Sequence, residues 1–275
     1  TNISNSDSPV VTVEVQDATG VNLFYKIQFQ DDQSVEMTDD GLGADALASD
    51  GIYSASIPAQ DSGVLVRYKV VASNGLTSAT LPSFNQKALF YHGYVVRDAS
   101  YSSNLPILQW FMSDSDYEDM VTNHVFDKKY FKCAIAYGNQ VIDNVEVRVK
   151  GELSLNFPKK SLKFKLPKAS KVDIEGKTPR PLNEFHLNAE WLDDSKARTV
   201  TAWEMANEMG IDTPAVFGTR LLRNNDYHGY FLFAEKYHTE FQEEKGYNGS
   251  LYEDYNEQIT DNAEPETINS WRENM

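Results

Sequence analysis

Polar and apolar residues alternate along much of the chain, and a repeat of two residues is the signature of strands with one buried face. In 145–150 every second residue is valine, and in 161–166 every second residue is leucine or phenylalanine. Between these runs lies a turn that contains Gly151. The stretch 145–166 is therefore predicted to be two strands joined by a glycine turn.

The same pattern predicts further strands. Three helices are also predicted, one from apolar residues at helical spacing and two shorter ones in acidic segments. The helices are expected at 114–122, 195–209 and 239–245, with Asp194 or Ser195 as the N-cap of the second and Gly210 after its end. The run 224–226, Asn-Asn-Asp, predicts a hairpin turn, and 167–182 is expected to be a polar loop. Strands are predicted at 52–57, 64–72, 105–111, 130–137, 141–150, 184–188, 216–223 and 227–235.

These elements predict a multi-domain, β-rich α+β protein. Short strands about 10 residues apart, with Asp- and Gly-rich turns, are typical of a small β-sandwich, and we expect one at 9–82. We expect a frayed N-terminus at 1–8, a linker at 83–104, and a second domain at 105–255. That domain would be an antiparallel sheet with one main helix, followed at 256–275 by a polar tail or the start of a further lobe.

The segment 9–82 resembles the immunoglobulin-like modules of secreted bacterial multidomain proteins. The resemblance rests on four short motifs, and it implies a spacer or docking role. They are Asp39-Asp-Gly41, Asp50-Gly-Ile-Tyr53, Ile57-Pro58 and Val66-Arg-Tyr-Lys-Val70.

One loop of this segment gathers four carboxylates with glycines and is a candidate calcium site. Its acids are Asp39, Asp40, Asp45 and Asp50. Their spacing is not that of an EF-hand loop, and Asp and Gly are also the residues that tight turns require for conformational reasons. Both interpretations stay open.

The formal net charge is −16, which argues against nucleic acid as a partner because phosphate backbones need a basic surface. The charge is compatible with a basic protein partner or divalent cations, and it also serves solubility. No apolar run reaches the roughly 20 residues of a membrane-spanning helix. The single cysteine, Cys133, lies in a predicted strand and is expected to be a buried structural thiol.

Positive charge is concentrated after the glycine turn, at Lys159, Lys160, Lys163 and Lys165. A small-residue turn followed by a basic strand can hold an anion such as a phosphate. The alternative is a solvated edge strand that lysines protect from pairing. No GxGxxG or GxxxxGK[ST] motif is present, nor the GxSxG, HExxH or CxxC motifs of other chemistries, and the histidines lack metal-ligand spacing.

A set of motifs in fixed order resembles the spore-coat-protein-H-like (CotH) atypical kinase family over residues 105–255. The motifs are Val145-Glu-Val-Arg-Val-Lys-Gly151 with Ser154, Pro158-Lys-Lys-Ser-Leu-Lys163, Leu187-Asn-Ala-Glu-Trp-Leu-Asp193 with Arg198, 204–210 followed by Pro214, His228-Gly-Tyr-Phe-Leu-Phe-Ala-Glu235, and Gly249-Ser-Leu-Tyr252. The resemblance implies a kinase-N-lobe-like fold. It also implies a secreted or surface protein kinase that uses ATP with Mg²⁺ or Mn²⁺ and phosphorylates serine on extracytoplasmic proteins.

The resemblance also assigns roles to particular residues. Lys160 or Lys163 would hold the nucleotide phosphates, Gly151 and Ser154 would form the turn over them, and Glu204 or Arg198 would brace the lysine. Glu235 would begin the segment leading to the hinge. Each residue also has an ordinary interpretation: a solvated strand face for the lysines, an exposed helix position for Glu204, and a strand-end salt bridge for Glu235.

The chain departs from the family pattern after Tyr255, where family members continue into a lobe with a catalytic and a metal-binding Asp. We therefore expect no catalytic residue within this chain, which would be a fragment of a longer kinase. The alternative is a non-catalytic surface or assembly protein that binds a partner through its two modules. The acidity of the chain permits a basic, Ser-containing protein as substrate or partner.

Overall fold

The computed structural model describes residues 3–83, 90–237 and 239–247. Backbone contacts divide the chain into two units, Thr1–Lys236 and Tyr237–Met275. Of the second unit the structure describes one short helix, α3 (Thr239–Glu244). The predicted tail at 256–275 and the motif at 249–252 lie outside the described residues.

The N-terminal part is built from two sheets. The strands are β1 (Val10–Glu14), β2 (Gly20–Ile27), β3 (Gln33–Glu36), β4 (Ile52–Ser56), β5 (Leu65–Ser73), β6 (Ser78–Leu81) and β7 (His92–Val95). β1 pairs with β4, and β3-β2-β5-β6 form the second sheet, in which β7 also pairs with β5. Alternate residues of β2, including Val21, Leu23 and Tyr25, are buried in the core that the sheets share. The β-sandwich expected at 9–82 and its immunoglobulin-like character stay predictions, and β7 of the second sheet lies beyond those bounds.

The remaining strands close into a seven-stranded barrel in the order β10-β11-β12-β14-β13-β8-β9. The bounds are β8 (Ile107–Phe111), β9 (Phe131–Tyr137), β10 (Gln140–Lys150), β11 (Ser161–Lys165), β12 (Glu184–Asn188), β13 (Val216–Arg223) and β14 (Asp226–Glu235). Two helices accompany them, α1 (Asp114–Thr122) and α2 (Arg198–Glu208). The β-rich α+β class is thus confirmed at this level, but the sheet is closed, and it is not wholly antiparallel because β8 pairs with β13 in parallel.

Stacked aromatic rings fill the barrel. Phe164, Phe185, Phe233 and Phe217 stack in sequence with ring centroids 5.1, 4.7 and 4.7 Å apart. Trp110 meets Phe164 edge-on at 5.7 Å. The residues that alternate with these rings on β11 and β12, and with the buried valines of β10, must therefore face outward.

Two local predictions were wrong. The loop 167–182 is not simply polar, since Val172, Ile174 and Leu182 are buried in the barrel core. Neither Asp194 nor Ser195 is the N-cap of α2, which follows Ala197. The buried carboxylate of Asp193 takes over the capping, because its Oδ2 accepts the Arg198 backbone N–H at 2.9 Å.

The N-terminal sheets pack directly on the barrel. Leu65 of β5 forms a buried cluster with Phe111 and Ala134 of the barrel, and Arg67 pairs with Asp143 at 2.8 Å. The Asp143 side chain is only 4% exposed. β7, which lies within the predicted linker 83–104, takes part in this packing because it contacts β10.

Candidate nucleotide-binding site

The outer face of β10, β11 and β12 is strongly basic, although the chain as a whole is acidic. Cross-strand register places Arg148, Lys163 and His186 in one row over three neighbouring strands. Lys150 and Asn188 lie one row further along, where the Lys150 Nζ donates to the Asn188 Oδ1 at 3.1 Å. This row and its neighbours form the basic face, defined as Arg148, Lys150, Lys163, His186 and Asn188.

The charges of this face act strongly on His186. Burial lowers the pKa of His186 to about 2, and the cations of Lys150, Lys163, Lys236 and Arg148 reinforce the effect. The imidazole is therefore neutral at physiological pH and can both donate and accept a hydrogen bond.

One carboxylate balances part of the basic face. Glu184 pairs with Lys163 at 2.5 Å and with Lys236 at 3.1 Å. Burial raises the pKa of Glu184, but these two ammonium groups outweigh burial and hold it below its usual value. The charge of Lys163 is thus partly compensated by a carboxylate that Lys163 shares with Lys236.

At the Lys150 end, the basic face opens into a cleft of about 360 Å³. On one side lies the turn that begins at Gly151, whose φ is +123°, and continues as a 3-10 turn at Leu153–Asn156. A Cβ at Gly151 would lie 2.0 Å from the Ser154 Oγ, so the turn requires glycine here. We call this space the cleft; its charged and polar lining includes Lys150, Ser154, Lys159, Asn188, Glu190 and Arg198.

The opposite wall of the cleft is the segment between β12 and α2. Asp193 holds it in shape by accepting from the Ser195 hydroxyl at 2.6 Å and from the Arg198 backbone. Glu190 accepts from the Thr199 hydroxyl at 2.8 Å. Both carboxylates therefore accept hydrogen bonds from the wall itself, and Asp193 also pairs with the Arg198 guanidinium at 3.5 Å.

Lys159 lies at the base of the cleft. Its Nζ donates to the carbonyl oxygens of Ala189, at 2.9 Å, and Tyr230, and lies 4.1 Å from the centroid of the Phe231 ring. Burial, assisted by the nearby charge of Lys196, lowers the pKa of Lys159 to about 8. A second cavity of about 300 Å³ shares Lys159 and Trp191 with the cleft.

The predicted nucleotide residues do not all meet at this place. Gly151, Ser154 and Arg198 line the cleft, and Lys160 lines the second cavity, where its Nζ donates to the Leu155 carbonyl at 2.6 Å. Lys163 belongs to the basic face outside the cleft lining.

The two predicted glutamates lie elsewhere. Glu204 is exposed on α2, and within the described residues it has no ion pair with Lys160 or Lys163. Glu235 is buried and pairs with Arg180 at 2.7 Å, which is the salt bridge of its ordinary interpretation.

Three residues of the site were not singled out as nucleotide ligands from the sequence: Lys150, Lys159 and Asn188. Lys159 was visible as part of the basic run, but strand alternation does not indicate which lysine of that run turns back into the cleft. The outward direction of Lys150 and Asn188 follows from alternation once the barrel interior is known.

The acidic loop of the N-terminal part brings together three of its four acids. Carboxylate oxygens of Asp39, Asp45 and Asp50 lie within 4.8 Å of one another, whereas Asp40 is outside the group. Asp39 also accepts backbone N–H bonds from Asp50 and Gly51 at 3.1 and 3.0 Å, the turn-forming role that aspartate often has. The calcium site stays a prediction.

The comparison with protein families bears on the segment that holds the cleft. Residues 147–273 match the family model described as CotH kinase protein. This segment is CotH-kinase-like. The match begins in β10 and includes the Gly151 turn, Lys159, the wall of the cleft and α2, so the expected resemblance is confirmed there. No curated protein matches the chain. Among the described residues, no helix has the length and apolarity needed to cross a bilayer.

Proposed function

We propose that this chain carries the nucleotide-binding lobe of a CotH-like atypical protein kinase. The parent protein would transfer a phosphoryl group from ATP, with Mg²⁺ or Mn²⁺, to serine in a protein substrate outside the cytoplasm. ATP would bind with its phosphates in the cleft, beside the Gly151 turn, and with the rest of the nucleotide along the basic face.

The observation that carries the proposal is the concentration of cations at a glycine turn in a chain of net charge −16. Lys150, Lys159 and Arg198 line the cleft beside the Gly151 turn, whose φ of +123° favours glycine. A ring of cations with a glycine turn offers charge and close backbone approach to a phosphate chain. The family match over the same residues supports this ligand.

The chemistry of the bound metal would be to bridge phosphate oxygens and offset the charge that develops during transfer. The chain's own residues would hold the phosphates and orient them. The carboxylates that position the serine hydroxyl are proposed to lie in a further lobe of the parent protein, as the family resemblance implies.

Binding of ATP with Mg²⁺ to this chain tests the proposal by isothermal titration calorimetry. We expect measurable binding that falls roughly tenfold in Lys150→Met, since one charge-assisted contact is lost. Lys168→Met, at an exposed lysine in the loop 167–182, is the control and should bind as the wild type does. Wild-type protein with no affinity for ATP would refute a nucleotide-binding lobe.

The same series can be extended to the lysines that the family resemblance favours. Lys160→Ala and Lys163→Ala should weaken binding less than Lys150→Met, because Lys160 lies in the second cavity and Lys163 lies outside the cleft lining, paired with Glu184. A larger loss in Lys163→Ala would place the phosphates on the basic face instead of in the cleft.

A second candidate function, a non-catalytic binding or assembly role, is favoured by the apolar surface around α2. Leu192, Met205, Met209 and Ile211 are 72, 58, 76 and 54% exposed. Exposed apolar groups of this density often mark interaction sites. Mixing the chain with its parent protein's remaining lobe distinguishes the two: restored serine phosphorylation supports the kinase, and binding without phosphorylation supports assembly.

A further inference from the structure

We propose that Lys159 is an anion-binding residue of the cleft, held by two main-chain carbonyls so that its ammonium charge acts on the bound phosphates. This inference rests on the proposed function, since it names a residue that would bind the nucleotide there. The motifs that suggested a nucleotide site pointed to Lys160 and Lys163 instead.

The first argument is the way in which the ammonium is held. Lys159 Nζ donates to the carbonyl of Ala189, at the end of β12, and to that of Tyr230 in β14. Lys159 itself follows the turn that starts at Gly151, so one side chain joins two segments that line the cleft, the turn and the residues after β12, to the neighbouring strand β14. A lysine held in this way loses little conformational entropy when a ligand arrives.

The second argument is a count of hydrogen-bond donors. An ammonium group has three N–H donors, and among the described residues Lys159 uses two of them on Ala189 and Tyr230. Its side chain lines the cleft as well as the second cavity. The remaining donor and the full positive charge are therefore available to a ligand in the cleft.

The third argument is the aromatic contact of the side chain. The Phe231 ring lies 4.1 Å from the Nζ. The aromatic face favours the charged form. The two carbonyl oxygens and the aromatic ring together hold the Lys159 ammonium group in one position.

The surroundings explain how this charge depends on pH. Burial lowers the pKa of Lys159 to about 8, Lys196 lowers it further, and Glu190 opposes them. Lys159 is thus charged at neutral pH and loses its charge as the pH rises through about 8. The other titratable or charged groups around it are His228 of β14, Lys160 next in the chain, Tyr117 of α1, and Lys150, Asp193 and Arg198 in the cleft.

Two of these neighbours do not change charge in the pH range in which Lys159 titrates, so they do not obscure its titration. Burial lowers the pKa of His228 to about 4, so His228 is already neutral at pH 7 and above. Burial raises the pKa of Tyr117, which keeps its hydroxyl neutral in the same interval. A bound phosphate would raise the pKa of Lys159, so binding should be strongest where the lysine is charged and weaker above that range.

The test is the affinity of the full chain for ATP with Mg²⁺, measured by calorimetry at about pH 7 and about pH 9.5, on either side of this titration. The variants are Lys159→Met, which removes the charge, and Lys159→Arg, which keeps it at both pH values. Lys168→Met is the control. We expect the wild-type affinity to fall roughly tenfold at the higher pH, Lys159→Met to be weak at both, and Lys159→Arg to be nearly independent of pH.

Three results would overturn the role of Lys159: Lys159→Met with wild-type affinity, equal pH dependence in the wild type and Lys159→Arg, or no pH dependence in the wild type. Wild-type protein that does not bind ATP overturns the proposed function instead. In that case pyrophosphate is titrated against the same proteins. Absence of binding, or equal affinity in the wild type and Lys159→Met, then overturns the role of Lys159 as well.

Amide hydrogen exchange on nucleotide-free protein tests the anchoring by itself. Residues 151–158 and 189–193 should exchange faster in Lys159→Met than in the wild type or Lys168→Met, because the bonds to Ala189 and Tyr230 are lost. Unchanged exchange would show that Lys159 does not hold these segments. This readout also reveals whether a variant is folded before its affinity is interpreted.

Discussion

His186 and His228 both stay uncharged at neutral pH, in different surroundings. His186 faces outward among the cations of the basic face. His228 packs parallel to Phe231 and edge-on to Trp110 and Tyr117, with ring centroids 5.6–5.9 Å apart. For both residues burial is the main cause of the lowered pKa, which is about 2 for His186 and about 4 for His228.

These two residues should make the stability of the protein depend on pH. A histidine in the unfolded chain has a pKa near 6.5. Below that pH the unfolded state therefore binds protons that the folded state does not bind. The stabilisation is present above about pH 6.5 and is lost as the pH falls. We expect each histidine to account for about 1–2 kcal/mol of the loss in unfolding free energy between about pH 7 and pH 5.

Urea unfolding at both pH values, in the wild type, His186→Gln and His228→Gln, measures this effect. Each variant should lose less stability on acidification than the wild type does. The wild-type pH dependence in both variants would contradict the explanation. The carboxylates are the same in all three proteins, so their contribution to the pH dependence cancels in the comparison.

At the scale of residues, the sequence indicated on which face of a strand a side chain lies better than it indicated which residue that side chain contacts. Alternation along β14 places Glu235 on the same side as Phe231 and Phe233, which is the inside of the barrel. It could not indicate the partner, Arg180, because that residue lies in a loop far away in sequence. Likewise, the basic run was evident, but the pairing of Lys163 with Glu184 depends on β11 lying next to β12.

At the scale of elements, the hairpin between β13 and β14 also serves as a contact with the N-terminal sheets. Asn224 and Asn225 have φ values of +53° and +72°, as the predicted turn requires. The Asn225 side chain lies against Gly63, and a Cβ added at Gly63 would be 2.0 Å from the Asn225 Cγ. The Asn225 amide also donates a hydrogen bond to the Asp98 carboxylate at 2.8 Å. The sequence predicted the turn itself, but it did not predict that the turn packs against Gly63 and Asp98.

Substitution of Gly63 tests this contact, and Gly75 provides a matched control. Both have similar positive φ, +80° and +85°, but an added Cβ at Gly75 meets nothing within 4 Å. Gly63→Ala should destabilise the chain by about 1–3 kcal/mol more than Gly75→Ala, because it adds a steric conflict to the same backbone strain. Chemical denaturation measures the difference. Equal destabilisation by the two substitutions would mean that Asn225 yields without cost.

Elements with strong local signals were predicted well. The expected bounds of α1, β12 and β13 agree with the structure, and α1 begins after Ser113, whose hydroxyl accepts the Asp116 N–H at 3.1 Å. The start of α2 was misplaced because its cap comes from Asp193, five residues before Arg198, through a loop whose shape local propensity does not encode.

At the scale of the whole molecule, the barrel itself could not be read from the sequence. Its closure depends on β8 pairing in parallel with β13 and antiparallel with β9. The parallel pair joins segments more than a hundred residues apart. No hairpin turn connects them, so no turn sequence predicts the pairing. The cleft could not be predicted for the same reason, because it is formed by β10, β12 and the segment before α2.

The acidity of the chain raises the question of whether a divalent cation stabilises it. If Asp39, Asp45 and Asp50 bind Ca²⁺, then Ca²⁺ should raise the thermal midpoint by several degrees, since a ligand that binds only the folded state stabilises it. Asp45→Asn should abolish the increase, and Asp40→Asn, outside the group, should keep it. An increase that survives in Asp45→Asn would assign the effect to general screening of the negative charge.

The ion pair between Arg67 and Asp143 has a consequence for how such proteins can be recombined. Its two halves come from different sheets, and Asp143 is almost fully enclosed. A barrel given a foreign N-terminal module would bury this carboxylate alone, at a cost of roughly 3–5 kcal/mol, and would leave Phe111 and Ala134 without their apolar neighbour Leu65. We therefore expect that replacing the first seven strands with a foreign module would destabilise the barrel, and that these strands are inherited together with it.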